Sequence, residues 1–263
     1  MSAFKDGLFA GRSVFVAGGT SGINLGIAQR FAALGAKVGV VGRNPEKAAN
    51  AAASIGNGAI GLSADVRDYA AIRAAMEQVA AAHGAFDVVV SGAAGNFLAP
   101  ALGMSANAFR TVVDIDLNGT FNVFRGSHDL LNKPGASLIA ITAGQAVNAA
   151  PLQAHACAAK AGINQLVRVL AMEWGPDVRV NGISPGPIEN TEGMARLAPD
   201  AASRAAYYER IPMRRWGEID EIAEAAIFLS SPSAGYITGT ILDCDGGSQL
   251  GDASRQSLER GMA

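Results

Sequence analysis

The amino-acid sequence predicts an α/β protein with a doubly wound, mostly parallel sheet and helices on both faces. Short runs rich in β-branched residues alternate with longer, alanine-rich stretches of helical period, as parallel strands joined by crossover helices do. A glycine-rich turn directly follows the first of these runs and opens a helical stretch. The length of 263 residues and the hydrophobic share of 49% provide for one sizeable core.

The strands and helices can be placed in chain order from these patterns. Strands are expected at SVFVAG, KVGVVG, AIGLSA, FDVVVSG, SLIAIT, VRVNGIS and GTILDCDGG. Helices are expected over residues 21–34, 45–53, 69–83 and 107–131, over the stretch that carries Lys160, and over the stretch that ends in AEAAIFLSS. Asn44 and Pro45 suit the N-cap and the first turn of the second helix.

The domain organisation is simple. The sequence contains no internal repeat, low-complexity segment or linker, so residues 1–263 are expected to form a single domain. One irregular region, residues 186–215, is rich in proline, glycine and charge. Loops of that length are usually functional or mobile, so a mobile substrate loop is predicted there.

Charge, cysteine content and hydropathy disfavour several classes of protein. The formal net charge of −2 gives no electrostatic basis for binding nucleic acid or an acidic membrane. Two cysteines, Cys157 and Cys244, are too few for a disulfide framework or a metal cluster, and no apolar run is long enough to span a bilayer. The start shows no signal-peptide pattern and the final GMA is not a peroxisomal address, so a cytoplasmic location is expected by elimination.

The stretch VAGGTSGINLGIA indicates a dinucleotide site, because its glycines lie between a strand and a helix. Gly18 suits the tight turn, and Gly22 would let backbone N–H groups approach a pyrophosphate at the helix N-terminus. Thr20 and Ser21 add hydroxyl donors, and Ile23 is included in the expected cofactor contacts. An ordinary strand-to-helix turn is the alternative.

The end of the second strand bears on the choice of cofactor. An NAD-binding site would place an acidic residue there to accept a hydrogen bond from the ribose 2′-hydroxyl. Here Gly42 is followed by Arg43. A guanidinium in place of a carboxylate favours a 2′-phosphate, so NADPH is the predicted cofactor. The alternatives for Arg43 are a solvated loop charge and an ion pair with Glu46.

Ala17 to Asn24 resemble the TGxxxGxG motif of the short-chain dehydrogenase/reductase family. Ala17 stands at the threonine of that motif and Asn24 at its third glycine. Four further stretches, SGAAG, DIDLNGTF, IAITAG and PGPIENT, resemble later segments of the family, so the resemblance covers nearly the whole chain. It implies a Rossmann-type fold, one dinucleotide-binding domain and a homotetramer.

The resemblance also implies further contacts to the cofactor. Asp65 and Val66 match the family's adenine-contacting residues, although an aspartate after a strand also suits a turn cap. Pro185, Gly186 and Ile188 match the segment that contacts the nicotinamide carboxamide. Both segments follow strands, which agrees with a ligand bound at the carboxyl ends of the sheet.

Three of the family's four catalytic positions are changed. Lys160 is retained, and the resemblance implies that it binds the nicotinamide ribose. The tyrosine position is Ala156, the serine position is Ala143, and the asparagine position is Asp116. Since the tyrosine protonates a ketone oxygen in that family, ordinary ketone reduction is disfavoured. Two hypotheses remain: a non-catalytic NADP-binding or scaffold protein, and a branch of the family that reduces another group.

Four runs favour the second hypothesis. AAGNFLAPA, DIDLNGTFNV, HACAAKAG and SPGPIENTEGMARL together resemble the peroxisomal-type 2,4-dienoyl-CoA reductase branch, which also lacks the tyrosine. That branch implies NADPH-dependent reduction of 2,4-dienoyl-CoA to 3-enoyl-CoA, auxiliary to oxidation of unsaturated fatty acids. A carbonyl or enoyl-thioester reductase is the alternative enzyme. Four arginines could meet the phosphates of CoA: Arg196, Arg210, Arg214 and Arg215.

The chemistry of that branch assigns roles to five residues. Asn118 is expected to stabilise the thioester oxygen as negative charge develops there, with a helix–sheet bridging amide as the alternative. Aspartate side chains are ordinarily ionised at neutral pH, so Asp116 and Lys160 are expected to orient a water that delivers the proton. A plain buried ion pair is the alternative. Asn96 and Phe97 are expected to contact the acyl chain.

Overall fold

The computed structural model describes residues 4–198 and 200–260, in which seven strands form one parallel sheet. The strand order is β3-β2-β1-β4-β5-β6-β7, so the chain winds outward in both directions from β1 and β4. The strands are β1 (Ser13–Ala17), β2 (Lys37–Gly42), β3 (Ile60–Ser63), β4 (Val88–Ser91), β5 (Ala136–Ile141), β6 (Val178–Pro185) and β7 (Ile241–Cys244). Each coincides with a predicted run, and the predicted α/β class is confirmed.

The described residues contain ten α-helices. They are α1 (Gly22–Ala33), α2 (Pro45–Ile55), α3 (Tyr69–His83), α4 (Ala106–Val113), α5 (Gly119–Ser127), α6 (Ala154–Trp174), α7 (Glu192–Leu197), α8 (Ala201–Arg210), α9 (Ile219–Ser230) and α10 (Arg255–Arg260). The predicted cap of α2 is confirmed, because the Asn44 side chain accepts a hydrogen bond from the Lys47 N–H at 2.9 Å. No helix within these residues is both long and apolar enough to cross a membrane.

The core lies on both faces of the sheet. All five residues of β1 are buried. Val14 and Val16 pack beneath α1, α2 and α9, whereas Phe15 packs on the opposite face beneath α3, α5 and α6. Since both faces are covered, the strands read as nearly continuous apolar runs. The carboxyl ends of the strands are therefore the edge at which ligands can bind.

The helix predicted over residues 107–131 is interrupted. A π-helical segment, Asp114–Asn118, separates α4 from α5. At its end, a Cβ on Gly119 would lie 2.7 Å from the Val66 Cγ2 atom, so glycine permits the close approach of α5 at this point. The apolar period of the sequence is that of an α-helix and gives no sign of one wider turn. Such turns frequently occur at functional sites.

Residues 186–215 are less irregular than predicted, because they contain α7 and α8. These helices help to enclose a small apolar cluster separate from the two cores. Trp216, which is 2% exposed, is packed there with Met194, Ala198 and Ile211. The segment therefore has packing of its own beside the sheet. Its mobility stays a prediction.

Candidate active site

The turn after β1 has the geometry of a pyrophosphate cradle. Gly18 has a φ of +77°, and a Cβ there would lie 2.7 Å from the Ala93 backbone nitrogen. Gly22 opens α1 with a φ of +54°, and a Cβ there would meet no atom within 4 Å. Open space therefore adjoins the unpaired N–H groups of the helix N-terminus, which favour an anion. The residues of this turn fit a dinucleotide.

The three other predicted residues of the turn differ in what they offer. Ser21 is the exposed N-cap of α1 and makes no capping hydrogen bond with its side chain, so its hydroxyl is available. Thr20 packs against Gly42, where a Cβ would lie 2.7 Å from the Thr20 Cγ2 atom. Ile23 is partly buried against the core, so its backbone N–H is the group it offers to a ligand.

Asn24, at the third glycine of the motif, is matched by a glycine opposite it. The Asn24 Nδ2 atom donates to the Gly92 carbonyl oxygen at 2.8 Å. A Cβ on Gly92 would lie 2.2 Å from the Asn24 Oδ1 atom. Asn24 therefore occupies the space that a side chain at position 92 would need. Helix α1 keeps its close contact with the end of β4 without the third glycine.

Arg43 and Asp65 lie just after β2 and β3, where the adenosine half of the cofactor was predicted. The Arg43 side chain is exposed and forms no ion pair with Glu46 among the described residues, so that alternative is wrong; its charge acts instead on the neighbouring Asp65 carboxyl. Asp65 is paired with Arg67: the Arg67 guanidinium lies 2.6 Å from Asp65 Oδ2 and lowers the pKa of the Asp65 carboxyl. Val66 is buried beside them. An adenine contact of Asp65 stays a prediction.

Lys160 and Asp116 form a buried ion pair, as the sequence predicted they would meet. They are 8% and 1% exposed, and Lys160 Nζ lies 3.3 Å from Asp116 Oδ2. Lys160 Nζ also donates to the Ile141 carbonyl oxygen at 3.1 Å, and Asp116 Oδ1 accepts from the Gly95 N–H at 2.7 Å. Both charges thus have the further hydrogen bonds that buried ions need. The pair joins α6, the π-helical segment and the ends of β4 and β5.

Alanine occupies two of the catalytic positions that the sequence analysis identified, Ala156 and Ala143. Ala156 lies one helical turn before Lys160 on α6 and is 4% exposed. Ala143 lies two residues after the end of β5 and is partly buried. Neither alanine side chain can donate a proton or a hydrogen bond. The site therefore combines a buried charged pair with no hydroxyl at these two positions.

Asn118 lies outside this site, and the role predicted for it is wrong. Its side chain is exposed, and its Nδ2 atom donates to Asp114 Oδ1 at 2.8 Å. Within the π-helical segment Asp116 is buried whereas Asn118 is exposed, so the two side chains face different sides. Because Asp116 faces Lys160, Asn118 faces away from it. The alternative of an amide that bridges helix and sheet is also wrong, since its partner lies on its own segment.

A cluster of three amide side chains, which we name the amide cluster, consists of Asn96, Gln145 and Gln153. The Gln153 Oε1 atom accepts from Asn96 Nδ2 at 2.6 Å and from Gln145 Nε2 at 3.4 Å. The sequence predicted Asn96 alone as a site residue. One signal could have found Gln153: it lies seven residues before Lys160, a spacing that places two helical residues on one face.

Phe97, predicted with Asn96 to contact the acyl chain, is 38% exposed and follows Asn96 of the amide cluster. Its ring packs edge-on against His155, with the ring centroids 4.3 Å apart. His155 is fully buried, and neither of its ring nitrogens has a hydrogen-bond partner in the described part of the chain. The contact holds the Phe97 ring at the edge of the site.

A cavity of about 610 Å³ adjoins the amide cluster. Gln145 and Gln153 line it, together with Pro185 and Gly186, two of the predicted nicotinamide contacts. Ile188, the third, is 2% exposed, so its side chain belongs to the core. The cavity therefore brings the predicted cofactor segment and the amide cluster to one opening.

No group of three or more histidine, cysteine, aspartate or glutamate side chains suited to a metal ion occurs in residues 4–198 and 200–260. Both cysteines are free thiols and partly buried. Cys244 donates weakly to the Glu221 carbonyl oxygen at 3.8 Å, and burial raises the pKa of its thiol.

Comparison with known proteins agrees with this geometry. A family model described as enoyl-(acyl carrier protein) reductase matches residues 17–249. The peroxisomal 2,4-dienoyl-CoA reductase [(3E)-enoyl-CoA-producing] of Rattus norvegicus is 41% identical over 94% of this chain and 87% of its own length. A probable 2,4-dienoyl-CoA reductase [(2E)-enoyl-CoA-producing] of Bacillus subtilis is 35% identical over 91% of this chain and 97% of its own length.

A solved structure shows the same architecture. The gluconate 5-dehydrogenase of Burkholderia cenocepacia, in complex with NADP and tartrate, superposes with a TM-score of 0.84 at 31% identity. The match covers 92% of this chain and 96% of that one. With the cradle after β1 and the sheet order, these matches confirm the predicted resemblance: the chain belongs to the short-chain dehydrogenase/reductase family of nicotinamide-dependent oxidoreductases.

Proposed function

We propose that this protein reduces 2,4-dienoyl-CoA thioesters to 3-enoyl-CoA with NADPH, as an auxiliary enzyme in the oxidation of unsaturated fatty acids. One observation carries the proposal above all: a buried Lys160–Asp116 pair in a site that has alanine at both hydroxyl positions. The pair keeps a charged, hydrogen-bonded centre, whereas Ala143 and Ala156 remove the groups that would protonate a ketone oxygen. A reaction that delivers its proton to carbon suits such a site.

The chemistry explains why the hydroxyls are dispensable. When bound, the cofactor supplies a hydride. Addition of a hydride to the far end of a diene conjugated with a thioester produces an extended enolate, whose negative charge lies largely on the thioester oxygen. The proton is then taken up by the α-carbon, away from the carbon that received the hydride. The chain must therefore stabilise an oxygen and hold a proton source beside the α-carbon.

Asp116 and Lys160 suit the second of these tasks. The Asp116 carboxylate accepts from the Gly95 N–H and lies against the Lys160 ammonium, so it is an acceptor rather than an acid. A water bound by both groups would donate a hydrogen bond to the Asp116 carboxylate and accept one from the Lys160 ammonium. We assign the protonation of the α-carbon to such a water. Lys160 additionally binds the nicotinamide ribose.

Arginine side chains at two places support NADPH as the cofactor and an acyl-CoA as the substrate. The Arg43 guanidinium is exposed and unpaired among the described residues, and it follows Gly42 at the end of β2, where a 2′-phosphate would lie. Arg210 lines the cavity of about 610 Å³ and is 66% exposed; its ion pair with Asp252 is long, at 3.7 Å, so its guanidinium can also meet a phosphate of CoA. Arg215 is engaged by Glu221, and the side chain of Arg196 lies outside the described part of the chain.

A homotetramer and a cytoplasmic location complete the proposal. Large apolar side chains are exposed on α4, α5 and α6, as expected of helices that pack against other copies. They are Phe109, Phe121, Val169 and Met172, at 38%, 45%, 39% and 86% exposure. The rat relative is named a peroxisomal enzyme. For this chain the cytoplasmic location stays the prediction made from its sequence.

The proposal is tested by following NADPH consumption by the purified chain with 2,4-hexadienoyl-CoA and, separately, with an acetoacetyl thioester. We expect turnover with the diene, and weaker activity when NADH replaces NADPH. Turnover of the acetoacetyl thioester alone would establish a carbonyl reductase instead. NADPH binding without turnover of either compound would establish the non-catalytic alternative, and tighter binding of NADH than of NADPH would overturn the role of Arg43.

A further inference from the structure

We infer that Gln153 holds the thioester oxygen of the substrate, donating a hydrogen bond from its Nε2 atom as negative charge develops on that oxygen. This inference rests on the proposed function. It supplies the oxygen-stabilising group that the reaction needs and that Asn118, which faces away from Lys160, does not provide. Gln153 keeps its protons throughout, so the hydride and the proton of the reduction have the sources already named.

The orientation of the Gln153 amide is fixed by its neighbours. Asn96 Nδ2 at 2.6 Å and Gln145 Nε2 at 3.4 Å both donate to one atom, Gln153 Oε1. In this arrangement Oε1 is taken up by the two donors, and the NH₂ group is directed to the other side of the amide. Asn96 and Gln145 thereby act as positioning residues for Gln153. Preorganised donors of this kind lose little in reorientation when charge develops.

The Gln153 NH₂ group is free to donate to a ligand. No acceptor for Nε2 is found within residues 4–198 and 200–260, and Nε2 is not among the buried polar atoms that lack a partner. It is therefore accessible, and Gln153 lines the cavity of about 610 Å³ beside the nicotinamide segment. Two unused N–H bonds thus face the space in which an acyl thioester would lie.

The place of Gln153 on α6 relates it to the catalytic pair. Gln153 is the N-cap of α6 and lies three residues before Ala156 and seven before Lys160, which places all three on one face. Since Ala156 is short, Gln153 is the next polar side chain along this face from Lys160. The thioester oxygen bound by Gln153 and the α-carbon next to it would then lie near the Lys160–Asp116 pair.

Two substitutions remove the donor in different ways. Gln153→Glu keeps the oxygen that accepts from Asn96 and Gln145 but replaces the NH₂ group with a second oxygen. Gln153→Met removes the donor without adding a charge. Loss of one such donor typically lowers kcat by about 10²–10³-fold. We therefore expect both variants to lose at least about a hundredfold in kcat with 2,4-hexadienoyl-CoA, while the KM for NADPH stays unchanged.

Gln78→Glu is the matched control, because it makes the same replacement at an exposed position of α3, away from the site, and should leave kcat unchanged. Unchanged kcat in both Gln153 variants, with turnover by the original chain, would overturn this inference alone. A loss of kcat that comes with an equal loss of NADPH binding would also overturn this inference, because such a result would show that Gln153 has a structural role. No turnover of the diene by the original chain would overturn the proposed function, and this inference with it.

Discussion

Asp116 is held between a lysine ammonium and a backbone N–H, and almost none of its surface is exposed. Burying a carboxylate costs several kcal/mol unless its charge is compensated, and here the Lys160 ammonium and the Gly95 N–H compensate it. A carboxylate that only accepts hydrogen bonds can still direct a water. At the scale of the single residue, the proposed protonation of the α-carbon therefore depends on the negative charge of Asp116.

Asp116→Asn removes that charge and restores the residue that the resemblance places there. We expect kcat for diene reduction to fall by at least about a hundredfold, because the water loses the group that orients it. Steady-state kinetics with 2,4-hexadienoyl-CoA measure the change. NADPH binding and circular dichroism check the fold, since breaking a buried pair can cost about 3–5 kcal/mol.

Asp114→Asn is the control for this variant. Asp114 lies in the same π-helical segment, but its carboxylate accepts from the exposed Asn118 amide, so its loss should leave kcat unchanged. Equal kcat values for Asp116→Asn and the original chain would contradict the role of Asp116 in protonation.

At the scale of the element, the contact of α1 with β4 shows how two unusual residues fit one another. In place of a third glycine the helix carries Asn24, and the loop that follows β4 carries Gly92. The Asn24 Oδ1 atom is buried and has no hydrogen-bond partner among the described residues, so the side chain is held there by its Nδ2 hydrogen bond and by its packing. Each residue therefore depends on the other.

Gly92→Ala should destabilise the protein by about 1–3 kcal/mol, because the new Cβ would lie 2.2 Å from the Asn24 Oδ1 atom. Adding Asn24→Gly should recover part of this loss. The double variant should therefore lose less free energy of unfolding than the two single variants lose together. Denaturant unfolding of the four proteins in the cycle measures the coupling.

Gly103→Ala is a control for the cycle, since a Cβ there meets only the Pro100 Cδ atom at 4.0 Å. This change should leave the stability nearly unaltered. Additive effects of Gly92→Ala and Asn24→Gly would show that the two positions are independent and would contradict the packing described for α1 and β4.

At the scale of the whole molecule, the sheet could be predicted because its evidence is local. Each strand is a short run of β-branched residues, and each crossover helix has apolar residues at helical spacing. These two local patterns are enough to predict the strands and helices of a parallel α/β fold. The pyrophosphate cradle could be predicted for a similar reason, since Gly18 and Gly22 are needed for a backbone turn. Both depend on a few residues that are adjacent in the chain.

The rest of the site depends on residues that are distant in the chain. The π-helical segment could not be predicted, because its wider turn is accommodated where Gly119 meets Val66 across the fold. The amide cluster likewise joins the loop after β4, the turn after β5 and the start of α6. The misplacement of Asn118 could have been avoided, since helical spacing alone turns it away from Asp116.

We propose that this fold delivers hydride to the far end of a diene and a proton from water to the α-carbon of the thioester. Isotopic analysis of the product of 2,4-hexadienoyl-CoA tests it most directly. With NADPH deuterated at C4 of the nicotinamide, the account predicts 3-hexenoyl-CoA that carries deuterium at C5. With ordinary NADPH in deuterated water, it predicts deuterium at C2. Cofactor deuterium at C3, or a product with the C2–C3 bond reduced and the C4–C5 bond retained, would contradict the account.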